Sequence, residues 1–257
     1  MYDVYRSVLG QRLEIRVVEL GDVGSTMDEA RNLGAVDEMT VVVARSQAAG
    51  VGRFGRRWYS PPGGLWFTVI TYPRQSATAS PLLTLSTSLA VCRGISKTTG
   101  LQPSIRWPND IYLNGRKVGG VLAEMDVVGD TITRALLGVG VNANFEVDEL
   151  PEQVRAEATT LRHELGSEIS LQQLLSNILA ELRDLYESFK AGWRLEILRD
   201  IKEAMEMMGE PVSIHLSQGT QLIAVLEDLD ELGRIAVRLE QDRIFLSPGD
   251  IERITPL

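Results

Sequence analysis

Residues 46–58 carry the side chains of this sequence that are best suited to chemistry. The stretch contains three glycines and three arginines, and the apolar residues 41–44 and 65–70 on either side are each typical of a buried strand. Glycine lets backbone amides approach a ligand closely, and arginine offers an always-charged fork that matches a carboxylate or a phosphate. The pattern therefore predicts a mobile basic loop that holds a small anion, and a solvated surface loop is the alternative.

The same glycines also match the G-x-G-x-x-G pattern of dinucleotide-binding proteins, through Gly50, Gly52 and Gly55. That pattern needs a helix that begins at the third glycine and an acidic residue about 20 positions further on. Here residues 58–62 include two prolines and cannot begin a helix, and no acidic residue stands near Tyr72. The sequence context therefore excludes a Rossmann nucleotide site.

Three further positions have both a structural and a functional interpretation. Ser25 and Thr26 precede a short predicted helix that ends at Gly34, so they serve as its cap or place its N-terminus beside an anion or a polar head group. Lys117 stands at the start of a strand beside two glycines, where a solvated strand end is the alternative to a functional cation. Asn142 follows an apolar strand and is either a turn residue or a ligand contact.

Composition limits the class of protein. With 257 residues, 44% of them apolar, the chain suits one large domain, or one domain plus a small appendage. A formal net charge of −9 argues against a nucleic-acid partner. Cys92 is the only cysteine and has apolar neighbours, so a core thiol is expected, and His163 and His215 are interpreted as structural or surface residues. With no signal-peptide pattern and no membrane-spanning run of about 18 apolar residues, we expect a cytoplasmic protein without a membrane partner.

The elements that must position these residues follow from periodicity and turn signals. Strands are predicted at 12–20, 104–109, 117–125 and 131–142, helices at 27–33, 79–99, 170–190 and 193–208, and an irregular, mobile segment at 146–166. Asn114 and Gly115 predict a type I′ turn within a meander of strands. After residue 209 come five short alternating segments, which suggest a small barrel-like module: 212–216, 221–226, 234–239, 243–246 and 250–254.

Taken in order, four stretches resemble the biotin protein ligase family. They are residues 24–26 (GST), 47–58 (QAAGVGRFGRRW), 106–110 (RWPND) with 117–120 (KVGG), and 138–142 (GVGVN). The resemblance covers residue 12 to the C-terminus and implies an α+β fold, in which a mixed, largely antiparallel sheet with packed helices forms a class II synthetase-like catalytic domain. It also implies a C-terminal SH3-like β-barrel, with the catalytic domain at 1–209 and the barrel at 210–257. No segment matches the N-terminal DNA-binding domain of repressor-type members, so the ligase-only form is expected.

By this resemblance the protein ligates biotin to a lysine of a biotin carboxyl carrier protein. ATP, biotin and Mg²⁺ give biotinyl-5′-AMP, and the lysine amine then attacks that mixed anhydride. A carboxylate and a triphosphate repel each other, so the first step needs converging cations, and a lid keeps water from the adenylate. A homodimer is consistent with the sequence.

The resemblance also implies a set of contact residues. Arg53 and Lys117 are the implied catalytic residues at the carboxylate–phosphate junction. The implied biotin contacts are Ser25, Thr26, Gln47, Gly50, Val51, Gly52, Arg53, Trp58, Lys117, Gly120, Leu122, Gly138 and Gly140. The implied ATP contacts are Arg53, Arg56, Trp58, Asn109, Lys117, Asn142 and Thr159. Residues 158–161 match the segment that covers the adenine. No metal site is expected from the protein alone, because Mg²⁺ accompanies ATP, close to Asn142.

Three positions depart from the family pattern. Met27 stands where the family has an asparagine, which removes a polar contact to the head group. Val51 replaces a frequent arginine, and Arg106 replaces a lysine and so keeps the charge with a different geometry. Two alternatives remain open: a lipoate or octanoate ligase of the same superfamily, and a non-catalytic biotin sensor.

Overall fold

The computed structural model describes residues 3–8 and 14–257, with side chains described from residue 15 onward. Eight strands form its larger sheet: β1 Asp3–Val8, β2 Glu14–Val23, β3 Thr40–Gln47, β4 Leu65–Thr71, β5 Ser104–Arg106, β6 Asp110–Leu113, β7 Arg116–Val128 and β8 Thr131–Val141. Their order across the sheet is β1-β2-β3-β4-β8-β7-β6-β5. Only the β2–β3 pair is parallel among these described strands, so the predicted mixed, largely antiparallel sheet is confirmed.

A second sheet follows at the C-terminal end. Its strands are β9 Pro211–Leu216, β10 Gln221–Leu229, β11 Ile235–Leu239, β12 Asp242–Leu246 and β13 Ile251–Pro256. They lie in the order β12-β11-β10-β9-β13, with every neighbouring pair antiparallel. The five predicted segments are thus confirmed as strands. Within the described residues no pairing joins β12 to β13, so the sheet is open and the expected SH3-like barrel is not confirmed.

Six helices accompany the sheets in the described part of the chain. They are α1 Thr26–Asn32, α2 Ser80–Thr99, α3 Glu152–Arg155, α4 Leu161–Leu165, α5 Leu171–Lys190 and α6 Arg194–Ala204. The amphipathic helix α5 buries Leu174, Ile178 and Leu182, which recur every four residues along one face. A Cβ added at Gly94 of α2 would stand 2.4 Å from Ile178 Cγ1 and 2.8 Å from its Cα. Glycine therefore permits the close approach that packs α2 against α5.

Strand alternation places the core and the candidate site on opposite faces of the larger sheet. Leu137 and Val139 of β8 belong to the main core, which includes α2 and α5, whereas Leu136 packs in a smaller cluster with α1. Gly138 and Gly140 share the face of Leu136, because successive residues of a strand point to opposite sides. Since neither has a side chain, Met27 Sδ and the Trp58 ring approach this part of the sheet closely.

Most predicted elements agree with the structure. The helices predicted at 79–99 and 170–190 each begin one residue later in the structure, and the helix predicted at 193–208 is shorter. Asn114 and Gly115 have φ of 51° and 76°, as a type I′ turn requires. The strand predicted at 12–20 corresponds to β2, and residues 12 and 13 lie outside the described residues. The prediction of an irregular segment at 146–166 missed α3 and α4, each of which is too short to show helical periodicity.

Candidate active site

A cavity of about 280 Å³ opens on the α1 face of the larger sheet, bordered by residues 47–58. Its lining includes four cationic side chains, Arg53, Arg56, Arg57 and Lys117. Three carboxylates also line it: Asp110, Glu157 and Glu252. Cations are thus concentrated at one concave site of a chain whose net charge is −9, which suits an anionic ligand.

Glycines form the floor of this cavity. Gly120 and Gly140 face each other across β7 and β8, and the ring of Trp58 lies over them. A Cβ at Gly140 would stand 2.5 Å from Trp58 Nε1, so no larger residue fits beneath the indole. That Nε1 is buried, and among the described side chains it is the one buried nitrogen or oxygen without a hydrogen-bond partner. Trp66 stands edge-on to Trp58, at 6.4 Å between ring centroids, and completes an aromatic wall.

A chain of hydrogen bonds fixes the polar groups at the α1 end of the cavity. Thr68 Oγ1 donates to Thr26 Oγ1 at 2.9 Å, and Thr26 Oγ1 donates to Gln47 Oε1 at 3.1 Å. Gln47 Nε2 then donates to Ser60 Oγ at 2.8 Å. Ser25 caps α1 by accepting a hydrogen bond from the Met27 amide. These bonds hold Thr26 and Gln47 in one orientation before a ligand arrives, as a selective site requires.

Lys117 reaches the cavity from the start of β7. Its Nζ lies 2.6 Å from Asp110 Oδ1 and 5.2 Å from the centroid of the Trp58 ring. Its backbone is held on both sides, because Lys117 N donates to Glu157 O at 2.7 Å and Thr159 N donates to Lys117 O at 2.9 Å. The cation is therefore placed by β7 and by the segment that precedes α4.

Glu164 ties that segment to the turn before β7. Its carboxylate accepts hydrogen bonds from Thr159 Oγ1 at 2.5 Å, Asn114 Nδ2 at 2.6 Å and Arg116 Nη2 at 3.1 Å. Burial alone would raise the pKa of Glu164, but the hydrogen bonds from Thr159 and Asn114 and the charge of Arg116 outweigh it and hold the pKa below its ordinary value. Glu164 is therefore an ionised anchor behind Lys117.

The basic loop predicted at 47–58 is folded as a hairpin. Trp58 N donates to Gly50 O at 2.8 Å, and Gly52 N donates to Arg56 O at 2.7 Å. Phe54 and Gly55 at its tip have φ of 57° and 70°, the left-handed region that glycine adopts without strain. The loop therefore carries its arginines on a defined backbone.

The second sheet takes part in the site through this loop. Arg53 Nη2 donates to Ile251 O at 2.6 Å and to Pro248 O, and its Nη1 donates to Asn109 Oδ1 at 3.4 Å. Arg56 forms an ion pair with Glu252. Burial lowers the pKa of the Arg53 guanidinium, which still lies far above neutrality in proteins. These contacts hold the loop over the cavity.

The structure brings nearly all the predicted contact residues to the cavity. Those that line it are Ser25, Thr26, Gln47, Val51, Gly52, Arg53, Arg56, Trp58, Asn109, Lys117, Gly120, Leu122, Gly138, Gly140 and Asn142. Gly50 and Thr159 do not line it. Gly50 packs behind the loop, where a Cβ would stand 2.6 Å from Trp58 O. Thr159 is fully buried, and its carbonyl accepts a hydrogen bond from Asn142 Nδ2 at 3.0 Å.

Other lining residues were not predicted. Asp110 stands within the motif at 106–110, but its type alone does not separate a site carboxylate from a strand end. Glu252 lies about 200 residues from Arg56 in the chain, and no local pattern marks it. The remaining unpredicted residues are Met27, Arg57, Tyr59, Val121, Val139, Leu150, Val154 and Glu157. Ala158, which begins the predicted adenine-covering segment, also lines the cavity.

The described residues offer neither a metal-binding cluster nor a membrane-spanning helix. No group of three or more His, Cys, Asp or Glu side chains gathers in a metal-binding arrangement within the part of the chain whose side chains are described. None of the helices in that part is long and apolar enough to span a bilayer.

The chain is similar to known ligases in both sequence and structure. The model of the biotin/lipoate A/B protein ligase family matches residues 20–142. A bifunctional ligase/repressor BirA of Bacillus spizizenii is 36% identical over 183 residues, which cover 71% of this chain and 56% of that relative. The biotin–[acetyl-CoA-carboxylase] ligase of Mycobacterium tuberculosis is 26% identical, and the match covers 91% of this chain and 86% of that relative. This chain thus matches little more than half the length of the Bacillus relative.

Among solved structures, the biotin protein ligase of Aquifex aeolicus in complex with biotin and ATP superimposes with a TM-score of 0.81. The two sequences are 28% identical, and the superposition covers 94% of this chain and 99% of the Aquifex chain. A Leishmania major biotin protein ligase in complex with biotinyl-5-AMP is 26% identical, with a TM-score of 0.62, and covers 90% of this chain and 98% of its own. The agreement extends over both sheets.

Proposed function

Because this chain belongs to the biotin/lipoate A/B protein ligase family, we propose that it attaches biotin to a lysine of a biotin carboxyl carrier protein, with biotinyl-5′-AMP as the intermediate. The observation that carries the proposal is the single cavity that gathers a glycine floor, a fixed Thr26–Gln47 polar pair and four cations. Relatives named biotin–[acetyl-CoA-carboxylase] ligase support it.

We place both substrates of the adenylation step in this cavity. The bicyclic head group of biotin is placed at the α1 end, against Ser25, Thr26 and Gln47, and its valeryl chain runs over Gly138 and Gly140. The phosphates of ATP lie toward Arg53 and Arg56, and Asn109 and Asn142 line the nucleotide side. Gly138 and Gly140 offer only backbone on this side of the sheet, with Met27 Sδ close above the first and the Trp58 ring close above the second, so these two side chains border the path of the valeryl chain.

In the first step a biotin carboxylate oxygen attacks the α-phosphorus of ATP and pyrophosphate leaves. Lys117 and Arg53 flank the junction, neutralise the two anions and favour the transition state, in which negative charge accumulates. Mg²⁺, when bound with ATP, supplies further charge neutralisation on the phosphates. Ordering of the loop at 47–58 excludes water from the adenylate.

In the second step the acceptor amine attacks the carbonyl carbon of the mixed anhydride, and AMP leaves. No enzyme nucleophile is needed, so catalysis rests on position and charge. We assign the adenylation site to a catalytic domain at residues 1–209, and residues 210–257, interpreted as an SH3-like module, support it through Pro248, Ile251 and Glu252.

The proposal is tested by incubating the purified protein with ATP, Mg²⁺, biotin and a recombinant biotin carboxyl carrier domain. We expect the carrier domain to gain the mass of one biotinyl group, in an ATP-dependent manner. A carrier domain whose acceptor lysine is replaced by arginine is the matched control and should gain nothing. A wild-type carrier that stays unmodified at saturating biotin and ATP would contradict the proposal.

A further inference from the structure

A second cavity, of about 180 Å³, adjoins the first. Arg53, Asn109, Val121 and Leu122 line both cavities and form the boundary between them. The outer part of the second cavity is lined by the start of α2, by β7 and by the second sheet, through Ser80, Pro81, Thr84, Ala123, Met125 and Pro248. Pro81, Thr84, Ala123 and Met125 are all partly exposed, so the cavity reaches solvent.

The two cavities differ in charge. The first is lined by four cations and three carboxylates, whereas Arg53 is the only charged residue among those that line the second. Most of the second lining is apolar, and no carboxylate is present in it to attract a cation. Such a passage suits an uncharged aliphatic group far better than a phosphate or an ammonium ion.

The boundary residues are the ones that matter for the reaction. Arg53 is held between the two cavities by its hydrogen bonds to Asn109 Oδ1 and to the carbonyls of Pro248 and Ile251. In the proposed function Arg53 stands at the carboxylate–phosphate junction, so a group that passes along the second cavity to Arg53 and Asn109 arrives beside the reactive carbonyl.

We propose that the second cavity admits the side chain of the acceptor lysine, a proposal that rests on the proposed function. The tetramethylene stem lies between Pro81 and Thr84 on one side and Ala123 and Met125 on the other. The primary amine stops at Asn109, beside the adenylate carbonyl. The occupant is thus a long, unbranched alkylamine side chain.

The lining also favours the reactive form of the amine. Removal from water and the neighbouring guanidinium of Arg53 both disfavour an ammonium ion, so the lysine releases a proton to solvent as it enters. The neutral nitrogen then forms a bond to the carbonyl carbon, and the bond between that carbon and the AMP oxygen breaks. The surplus proton on nitrogen goes to the departing AMP phosphate, which completes the amide.

The test narrows the second cavity and measures the two half-reactions separately. Ala123→Phe on β7 and Thr84→Phe on α2 each place an aromatic ring in the second cavity. Ala191→Phe, at an exposed position after α5, is the matched control for Ala123→Phe. Adenylation is followed by biotin-dependent ATP–pyrophosphate exchange. Transfer is followed by single turnover of the preformed enzyme–adenylate with the carrier domain, and with hydroxylamine as a small nucleophile.

We expect the two narrowed variants to transfer biotin to the carrier domain at least about tenfold more slowly, because the amine can no longer reach the carbonyl. Exchange and the reaction with hydroxylamine should stay close to wild type, and Ala191→Phe should match wild type throughout. Unchanged carrier transfer in either narrowed variant with intact exchange would overturn the inference. Loss of exchange in both would also overturn it, since the second cavity would then not be separate from the adenylation site. Absence of exchange in the wild type would instead refute the proposed function.

Discussion

Lys117 is the single side chain on which the adenylation step depends most. It is the cation at the centre of the cavity, 2.6 Å from Asp110 and beside the ring of Trp58. Replacing an electrostatic donor of this kind costs about 3–4 kcal/mol of transition-state stabilisation. Lys117→Ala should therefore slow biotin-dependent pyrophosphate exchange by two to three orders of magnitude, roughly. Lys97→Ala, which removes an exposed lysine of α2, is the control; near-normal exchange by Lys117→Ala would refute the role.

Arg53 makes a different contribution, because it holds the loop closed. Arg53→Gly removes hydrogen bonds to Asn109 and to two carbonyls of the second sheet, and such charge-assisted bonds are worth about 1.5–3 kcal/mol each. We expect free biotinyl-5′-AMP to leak into solution about tenfold faster or more than from wild type. Chromatography of the reaction mixture without carrier measures the leak. Arg57→Gly removes another cation of the cavity from the same loop, but its side-chain hydrogen bond is a single 3.5 Å contact to Ala48 O, so it should leak less than Arg53→Gly.

The residues of the site could be predicted only where a local motif marks them. Lys117, the three arginines of the loop and four motif glycines stand in short patterns and line the cavity; those glycines are Gly52, Gly120, Gly138 and Gly140. Glu252 could not be predicted, because its relation to Arg56 arises from the folding of a distant strand.

The departure from the family pattern at Arg106 has a structural reason. Its guanidinium lies 3.5 Å from the centroid of the Tyr112 ring and pairs with Glu206, a stacked geometry that lysine does not reproduce.

At the scale of elements, the pairing of β7 with β8 creates the floor on which a ligand rests. A Cβ at Gly140 would stand 2.5 Å from Trp58 Nε1 and 2.7 Å from Cε2. Gly140→Ala should therefore displace the indole and cost about 1–3 kcal/mol, and we expect weaker biotin binding by calorimetry. Gly21→Ala is the matched control, because a Cβ there meets nothing within 4 Å. Equal affinities in the two variants would show that Trp58 does not shape the site.

The segment that contains α4 acts on Lys117 through Glu164. Glu164→Gln keeps the shape of the side chain but weakens its bonds to Thr159, Asn114 and Arg116. Such a buried anchor is worth about 1–3 kcal/mol. We expect a lower kcat and a higher KM for ATP, with the KM for carrier domain unchanged. A variant that lost only thermal stability would indicate a purely structural role.

The same residue predicts a pH dependence of stability. The pKa of Glu164 is lowered in the folded state, so its contribution is present above the unfolded pKa, near 4.3, and is lost as pH falls through the lower folded value. The difference in the free energy of unfolding between wild type and Glu164→Gln should therefore be largest near neutral pH and shrink below about pH 4. Urea unfolding at several pH values measures it. A difference that is constant from pH 7 to pH 3, roughly, would contradict the role of the ionised carboxylate.

The elements themselves were predicted where they are long or bounded by turn signals. Helices α2 and α5 have twenty residues each, a length at which helical periodicity is clear. Helices α3 and α4 have four and five residues, so no periodicity could reveal them. The parallel pairing of β2 with β3 depends on a crossover through α1. Whether the second sheet closes into a barrel or stays open depends on strand geometry. Neither is encoded in the local pattern of residues.

At the scale of the whole molecule, the second sheet is part of the frame of the site. Trp107 Nε1 donates to Gly233 O at 3.0 Å, which joins the motif at 106–110 to the loop before β11. Pro248 and Ile251 hold Arg53, and Glu252 holds Arg56. Both the loop over the cavity and the motif at 106–110 are thus anchored outside the larger sheet. This arrangement explains why a single cavity wall contains residues from both ends of the chain.

Activation of biotin as an acyl adenylate in this cavity would be detected by ATP–pyrophosphate exchange. The purified protein is assayed with Mg²⁺ and, in turn, biotin, lipoate and octanoate. We predict exchange with biotin alone, because Thr26 and Gln47 offer fixed polar groups to a ureido head group. Exchange with lipoate or octanoate instead would place the chain among the other ligases of its family. Measurable biotin binding without exchange of any acid would contradict catalysis and indicate a biotin sensor.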